Sequence, residues 1–107
     1  MKGNKLYFNQ IQDAIRKVES YVKGFDKAKF LEDEKTQSAV ILQLTLIGEI
    51  SMKISDKTKV RINIPWEQIV GFRNRAIHNY FEMNLDVIWD TVKIDIPVLK
   101  TKIQKEI

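Results

Sequence analysis

The chain reads as an all-α protein, a single up-and-down bundle of four to five helices. Glycine and proline are scarce, four and two in 107 residues. No window alternates polar and apolar residues over a strand's length, whereas several repeat apolar residues every three or four positions. The length suits one domain, residues 1–107, with a modest core. A composition of 44% hydrophobic and 30% charged residues is that of a folded chain, not a disordered one.

Each helix has its own signature. In the first, from about Lys5 to Lys23, Phe8, Ile11, Ile15, Val18 and Val22 form one apolar stripe, and Gly24 is the stop. A short turn around Asp26 to Phe30 follows. The second helix, roughly Glu34 to Ser55, takes Asp33 as its N-cap. It carries two stripes, one through Ala39, Leu42, Leu46, Ile50 and Ile54, the other through Val40, Leu44 and Ile47. A helix so widely apolar needs cover on more than one side, and in a short chain a second subunit is the expected cover. Gly48 inside it costs about 1 kcal/mol relative to alanine, which points to close helix packing at that position. After a basic loop, Pro65 suits the first turn of a third helix, because its missing N–H has no partner there. That helix carries Trp66, Ile69, Val70, Arg73, Ile77 and Tyr80 on one side. In the fourth, Leu85, Ile88, Val92, Ile96, Leu99, Ile103 and Ile107 keep the spacing, and Pro97 should bend or split it near Asp95.

Composition also excludes functions. Without cysteine there is no disulfide, no thiolate zinc site and no thiol nucleophile. One histidine and no acidic cluster of ligand spacing leave no clear metal site, and no cofactor is expected. No apolar run follows Met1 to Lys5, and the stretch from Ala39 to Ile50 is too short and too polar to cross a membrane. The expected location is the cytoplasm. Net charge is +4, and from Lys53 to Arg61 four bases (Lys53, Lys57, Lys59, Arg61) face one acid, Asp56. Such a stretch is either a solvated loop or a patch that attracts phosphates.

One segment stands apart from core and surface: Gly71-Phe72-Arg73-Asn74-Arg75-Ala76-Ile77-His78-Asn79-Tyr80. On a helix Arg73 and Tyr80 project within about 20° of each other, and Arg73 and His78 lie about 140° apart. Asn74 and His78 are neighbours one turn over. Arg75, about 200° from Arg73, is a surface charge. Arginine offers a permanent charge and a planar fork that fits phosphate oxygens. Histidine moves protons near neutrality. Together they suit attack of an RNA 2′-hydroxyl on its own phosphate, with His78 moving the proton and Arg73 holding the developing charge. No metal is required. Such a reaction ideally uses a base and an acid, so a homodimer that brings two His78 and two Arg73 into one cleft is expected. Glu49, polar among apolar neighbours, is expected either to pair with a cation such as Arg73 or to cap a buried donor. The alternative is a structural helical dimer in which the cluster is a buried polar network.

Arg73-Asn74-x3-His78-x-Tyr80 is an R-x4-H-x-Y motif, and it resembles the HEPN superfamily, specifically its HepT-like toxin branch. The resemblance extends through Ala39-x-x-Leu42, Ile47-Gly48-Glu49, Ile64-Pro65-Trp66, Gly71-x-Arg73-Asn74, Val87-x-Trp89 and Pro97-x-Leu99, essentially the whole chain. Ile50 departs from it, standing where the branch usually has alanine. The resemblance implies a homodimeric helical bundle and a metal-independent endoribonuclease acting on RNA. In it Arg73 and His78 are catalytic and Asn74 supports them. It also implies a toxin–antitoxin partnership with a minimal nucleotidyltransferase (MntA), which attaches AMP to the residue matched by Tyr80 and can build larger hetero-oligomers with the toxin. Added bulk and negative charge beside a phosphate-binding arginine would exclude RNA. The alternative within the superfamily is a non-catalytic module that binds nucleotide or RNA, or scaffolds the partner enzyme.

Overall fold

The computed structural model describes residues 2–107, and side chains from residue 4 onward. The N-terminal Met1, and the side chains of Lys2 and Gly3, read above as free of a leader sequence, lie outside the described residues. No strand occurs among the described residues, and the chain is all-α as its periodicity predicts.

Helix α1 spans Lys2–Val22 and buries Phe8, Ile11, Ile15, Val18 and Val22, the stripe of the sequence. Gly24 ends the run at φ +79°, the one left-handed residue described, where a side chain would strain the turn. The expected turn after it is a short helix, α2 (Lys27–Glu32), capped by Asp26, whose Oδ1 accepts from the Lys29 N–H at 2.8 Å. Phe30 of α2 is fully buried, and its ring lies 5.2 Å from that of Trp89. Asp33 then caps α3 (Glu34–Ser51): its Oδ1 accepts from the Thr36 N–H at 3.0 Å, and that bond holds its carboxyl below the ordinary range. Gln37 Nε2 donates to the Phe30 carbonyl at 2.8 Å, tying α2 to α3.

The basic loop is in part helical. Ser55 caps α4 (Asp56–Arg61), and α3 therefore stops at Ser51 rather than Ser55. Asn4 of α1 pins this element, donating to Ser55 Oγ (3.1 Å) and Thr58 Oγ1 (2.8 Å). Pro65 is the N-cap of α5 (Trp66–His78), and its carbonyl accepts from the Gln68 and Ile69 N–H groups. A 3₁₀ turn, Tyr80–Glu82, follows α5.

The last helix begins as α6 (Leu85–Asp90), capped by Asn84, whose Oδ1 accepts from the Asp86 and Val87 N–H groups. It runs through a π-helical turn, Thr91–Asp95, into α7 (Ile96–Gln104). The α-helical run is thus interrupted near Asp95, where Pro97 was expected to bend or split it, but the chain stays helical through the interruption. The wider turn just before the proline passes the Ile96 N–H back to the Thr91 carbonyl, absorbing the change of register that its ring demands.

The core lies between α1, α3 and the α6–α7 helix, where Ile11, Ile15, Val40, Ile88 and Ile103 are fully or almost fully buried. Helix α5 packs mainly on the opposite flank of α3, and Ala76 is its one buried residue. It therefore stands out from the core, leaving one groove between itself and α6–α7 and another running along its far side toward α4. Among the described residues no helix is long and apolar enough to cross a membrane.

Candidate active site

The segment Gly71 to Tyr80 is positioned by one close approach. A Cβ on Gly48 would lie 2.5 Å from Arg73 Cβ and 2.9 Å from the Ile69 carbonyl oxygen, distances no real side chain tolerates. Glycine is thus the residue that lets α5 lie against α3, as the sequence suggested. The same contact sets Arg73 beside Glu49, one residue along α3.

There the guanidinium is held on two sides. Its Nε and Nη2 donate to Glu49 Oε1 at 3.1 and 3.0 Å, and Nη1 donates to Asn74 Oδ1 at 2.9 Å. Three of its five N–H donors are engaged, and one on each terminal nitrogen is left for an incoming anion. The Arg73 side chain is mostly covered while Glu49 is half exposed, so the pair fixes orientation more than it stabilises the fold. Asn74 aims the arginine, a role the sequence left unspecific.

His78 is the last residue of α5, exposed, and its ring makes no hydrogen bond or ion pair among the described residues. Within one chain, therefore, His78 belongs to no buried polar network. The helix ends there: Asn79 donates its N–H to the Arg75 carbonyl at 2.7 Å and leaves the helical conformation at φ −135°. Tyr80 therefore does not share a helical face with Arg73, as the spacing predicts. It starts the 3₁₀ turn, is 41% exposed, and meets the fully exposed Phe81 ring edge-on at 5.6 Å. Its hydroxyl lies 3.2 Å from Ser38 Oγ on α3. That partner, 42 residues earlier, has no sequence signal. Arg75 points away as expected, its guanidinium 6.0 Å from the Phe72 ring, and lines the groove against α6–α7.

Exposed apolar residues surround this end of the molecule. Leu42 (55%) and Leu46 on α3, Ile77 on α5 and Phe81 (99%) remain in solvent. Of the two stripes read on the second helix, the one through Val40, Leu44 and Ile47 is buried; of the other, Leu42 and Leu46 are exposed, Ala39 and Ile50 are half-buried, and Ile54, past the end of α3, is buried. Among the described residues no three His, Asp or Glu side chains form a metal-holding group.

Comparison with known proteins fits this site. Residues 11–106 match the family described as ribonuclease HepT-like. The chain is 40% identical to "Probable ribonuclease HepT" of Thermococcus cleftensis, over 97% of this chain and 96% of that one. It is 32% identical to "Putative RNase MJ1380" of Methanocaldococcus jannaschii, over 94% and 93% of the two chains. A third relative, "Putative RNase TTE0752" of Caldanaerobacter subterraneus, is 28% identical over 98% and 95%. No solved structure matches. With a family match over nearly its whole length, an all-helical fold and the R-x4-H segment set on α5 against α3, the chain belongs to the HepT-like family of HEPN proteins.

Proposed function

We propose that this chain is the toxin of a toxin–antitoxin pair, a metal-independent endoribonuclease that works as a homodimer in the cytoplasm. The observation that carries the reading is Arg73 locked by Glu49 and Asn74 with two N–H donors to spare, on the helix that ends in an exposed, unengaged His78. An anion-binding fork and a proton carrier on one helix are the parts that RNA transesterification needs.

The reaction runs in one displacement. One His78 takes the proton of a ribose 2′-hydroxyl, and the 2′-oxygen bonds to the adjacent phosphorus. Arg73 holds the non-bridging oxygens as charge builds on them. The bond from phosphorus to the 5′-oxygen breaks, and that oxygen takes its proton from the second His78 of the dimer. The products are a 2′,3′-cyclic phosphate and a 5′-hydroxyl. The dimer is supported by the solvent-exposed Leu42, Leu46 and Ile77 near Arg73 and His78, an apolar surface that a second copy would cover.

Excess EDTA should leave cleavage of a broad RNA pool intact, with products of that end chemistry, when Tyr80 is confirmed unmodified by mass. Cleavage that needs added divalent metal would overturn the metal-independent mechanism. Absence of cleavage under either condition would favour a non-catalytic module that binds RNA or nucleotide, or scaffolds a partner.

Regulation falls to Tyr80, where a nucleotidyltransferase antitoxin of the MntA kind attaches AMP. The hydroxyl attacks the α-phosphorus of ATP, pyrophosphate leaves, and a bulky anion then stands two residues from His78. In support, Tyr80 is accessible and lies outside the rigid helix. Co-expression with that partner is expected to add one or more AMP units to the mass of this chain, and Tyr80→Phe to abolish the shift. A wild-type chain of unchanged mass would remove this part of the reading.

A further inference from the structure

Helix α5 has a groove of about 750 Å³ along the side that carries Asn74. It leads from Asn74 past Val70 and Trp66 to Lys59 and Val60 on α4. At about 1.5 Å per residue, the eight residues from Asn74 to Trp66 span about 12 Å, room for a few nucleotides. We propose that this groove holds single-stranded RNA flanking the scissile phosphate, an inference that rests on the nuclease reading above.

Charge is the first reason. Lys59, on the groove wall, makes no ion pair among the described residues, nor do Lys53 and Lys57 close by in the chain; the unpaired acids there are Asp56 and Glu67, which leaves the α4 end a net positive charge. Arg61 is different: Glu106 meets it at 2.9 Å and satisfies it. A polyphosphate fits that end, whereas an apolar helix of a protein partner does not.

The walls give the second reason. Trp66 is half-buried, and its Nε1 donates to the carbonyls of Lys59 (3.1 Å) and Ile62 (3.3 Å), which fixes the indole in the groove. A fixed aromatic ring stacks on any base, a contact without sequence preference. Val60, 89% exposed, adds apolar surface beside it. Rigidity is the third reason. The Asn4 amide clamps Ser55 and Thr58, so α4 presents its lysines on a fixed element. One wall residue opposes the anion, Glu67, and its position implies that removing its charge should tighten binding. The other groove, against α6–α7, balances Arg75 and Lys102 against Glu67 and Asp95 on its walls, so it has no such surplus of positive charge.

The test compares the wild-type protein with a Lys59→Gln variant, which keeps part of the aliphatic stem. On a single-stranded RNA of about a dozen nucleotides, KM should rise roughly threefold to tenfold with kcat unchanged, and the slope of log affinity against log salt should shrink by about 0.7, for one lost phosphate contact. A dinucleotide, too short to reach α4, should be cleaved equally by both proteins. Glu67→Gln should lower KM for the longer RNA. An unchanged KM and salt slope in the Lys59→Gln variant, with wild type cleaving normally, would overturn the groove and leave the nuclease reading intact. Should wild type not cleave at all, fluorescence anisotropy on the same labelled RNA decides the matter: equal affinities for both proteins would overturn the groove, and weaker, less salt-sensitive binding by the variant would uphold it.

Discussion

Replacing His78 by alanine is expected to lower the rate of RNA cleavage by about 10²- to 10⁴-fold, the usual contribution of a positioned acid or base. If one histidine takes the proton and its dimer mate returns it, both steps are lost together and the upper end of that range applies. Stability should barely move. The ring is exposed and makes no hydrogen bond among the described residues, and surface substitutions of that kind stay within about 0.5 kcal/mol. The measurement is single-turnover cleavage beside a thermal melt of the same preparation. A variant that cuts RNA at the wild-type rate would sink the assignment of His78. A variant that loses activity only because it melts early would transfer the residue to a structural role.

Gly48→Ala should be almost as damaging to activity, through Arg73 rather than through chemistry. Helix propensity alone would favour alanine by about 1 kcal/mol. Against that, the new Cβ would press on Arg73 Cβ at 2.5 Å and on the Ile69 carbonyl at 2.9 Å. The second of these is backbone and cannot rotate away, so α5 must lift from α3. Overpacking of this kind costs about 1–3 kcal/mol, which exceeds the gain in propensity. The lift also carries Arg73 away from Glu49, and a displacement of about 1 Å at a reacting group costs on the order of 10²-fold in rate. Gly71→Ala is the built-in control for stability, since its Cβ would meet only Arg75 Nη1 at 3.4 Å. It should keep or raise the melting temperature. Equal melting temperatures and rates for the two variants would refute the close-packing account of Gly48.

Much of this site was legible in the sequence because its signals are local. Gly24 and Asp33 announce the end of one helix and the start of another through their own backbone chemistry. Gly48 and Glu49 are anomalies of type on an apolar helix, and each anomaly has its partner in Arg73. Tyr80 was misplaced for the opposite reason. The three-and-four spacing continues past His78, but Asn79 breaks the helix, and the tyrosine turns to Ser38 on α3. The short helix α4 was hidden because its six residues bury nothing and so carry no stripe. Pro97 was expected to bend or split its helix near Asp95, and a π turn, Thr91–Asp95, interrupts the α-helical run there; the type of interruption was not in the sequence.

The sequence by itself determined the class of fold, the helix that bears the motif, and that Glu49 needs a polar partner, of which Arg73 was one candidate. Each follows from residue type and spacing along one helix, where geometry is fixed by the backbone. Tertiary structure alone decided that Val40, Leu44 and Ile47 of α3 are buried while Leu42 and Leu46 are left in solvent, because all are apolar and only the positions of the helices packed on α3 separate them. It alone set Asn74 against the guanidinium and Ser38 against Tyr80. It also opened the groove from Asn74 to α4, since α5 packs on α3 through Gly48 and Ala76 and leaves its other side uncovered. Contacts between distant segments depend on how the helices pack, and packing is a property of the whole chain.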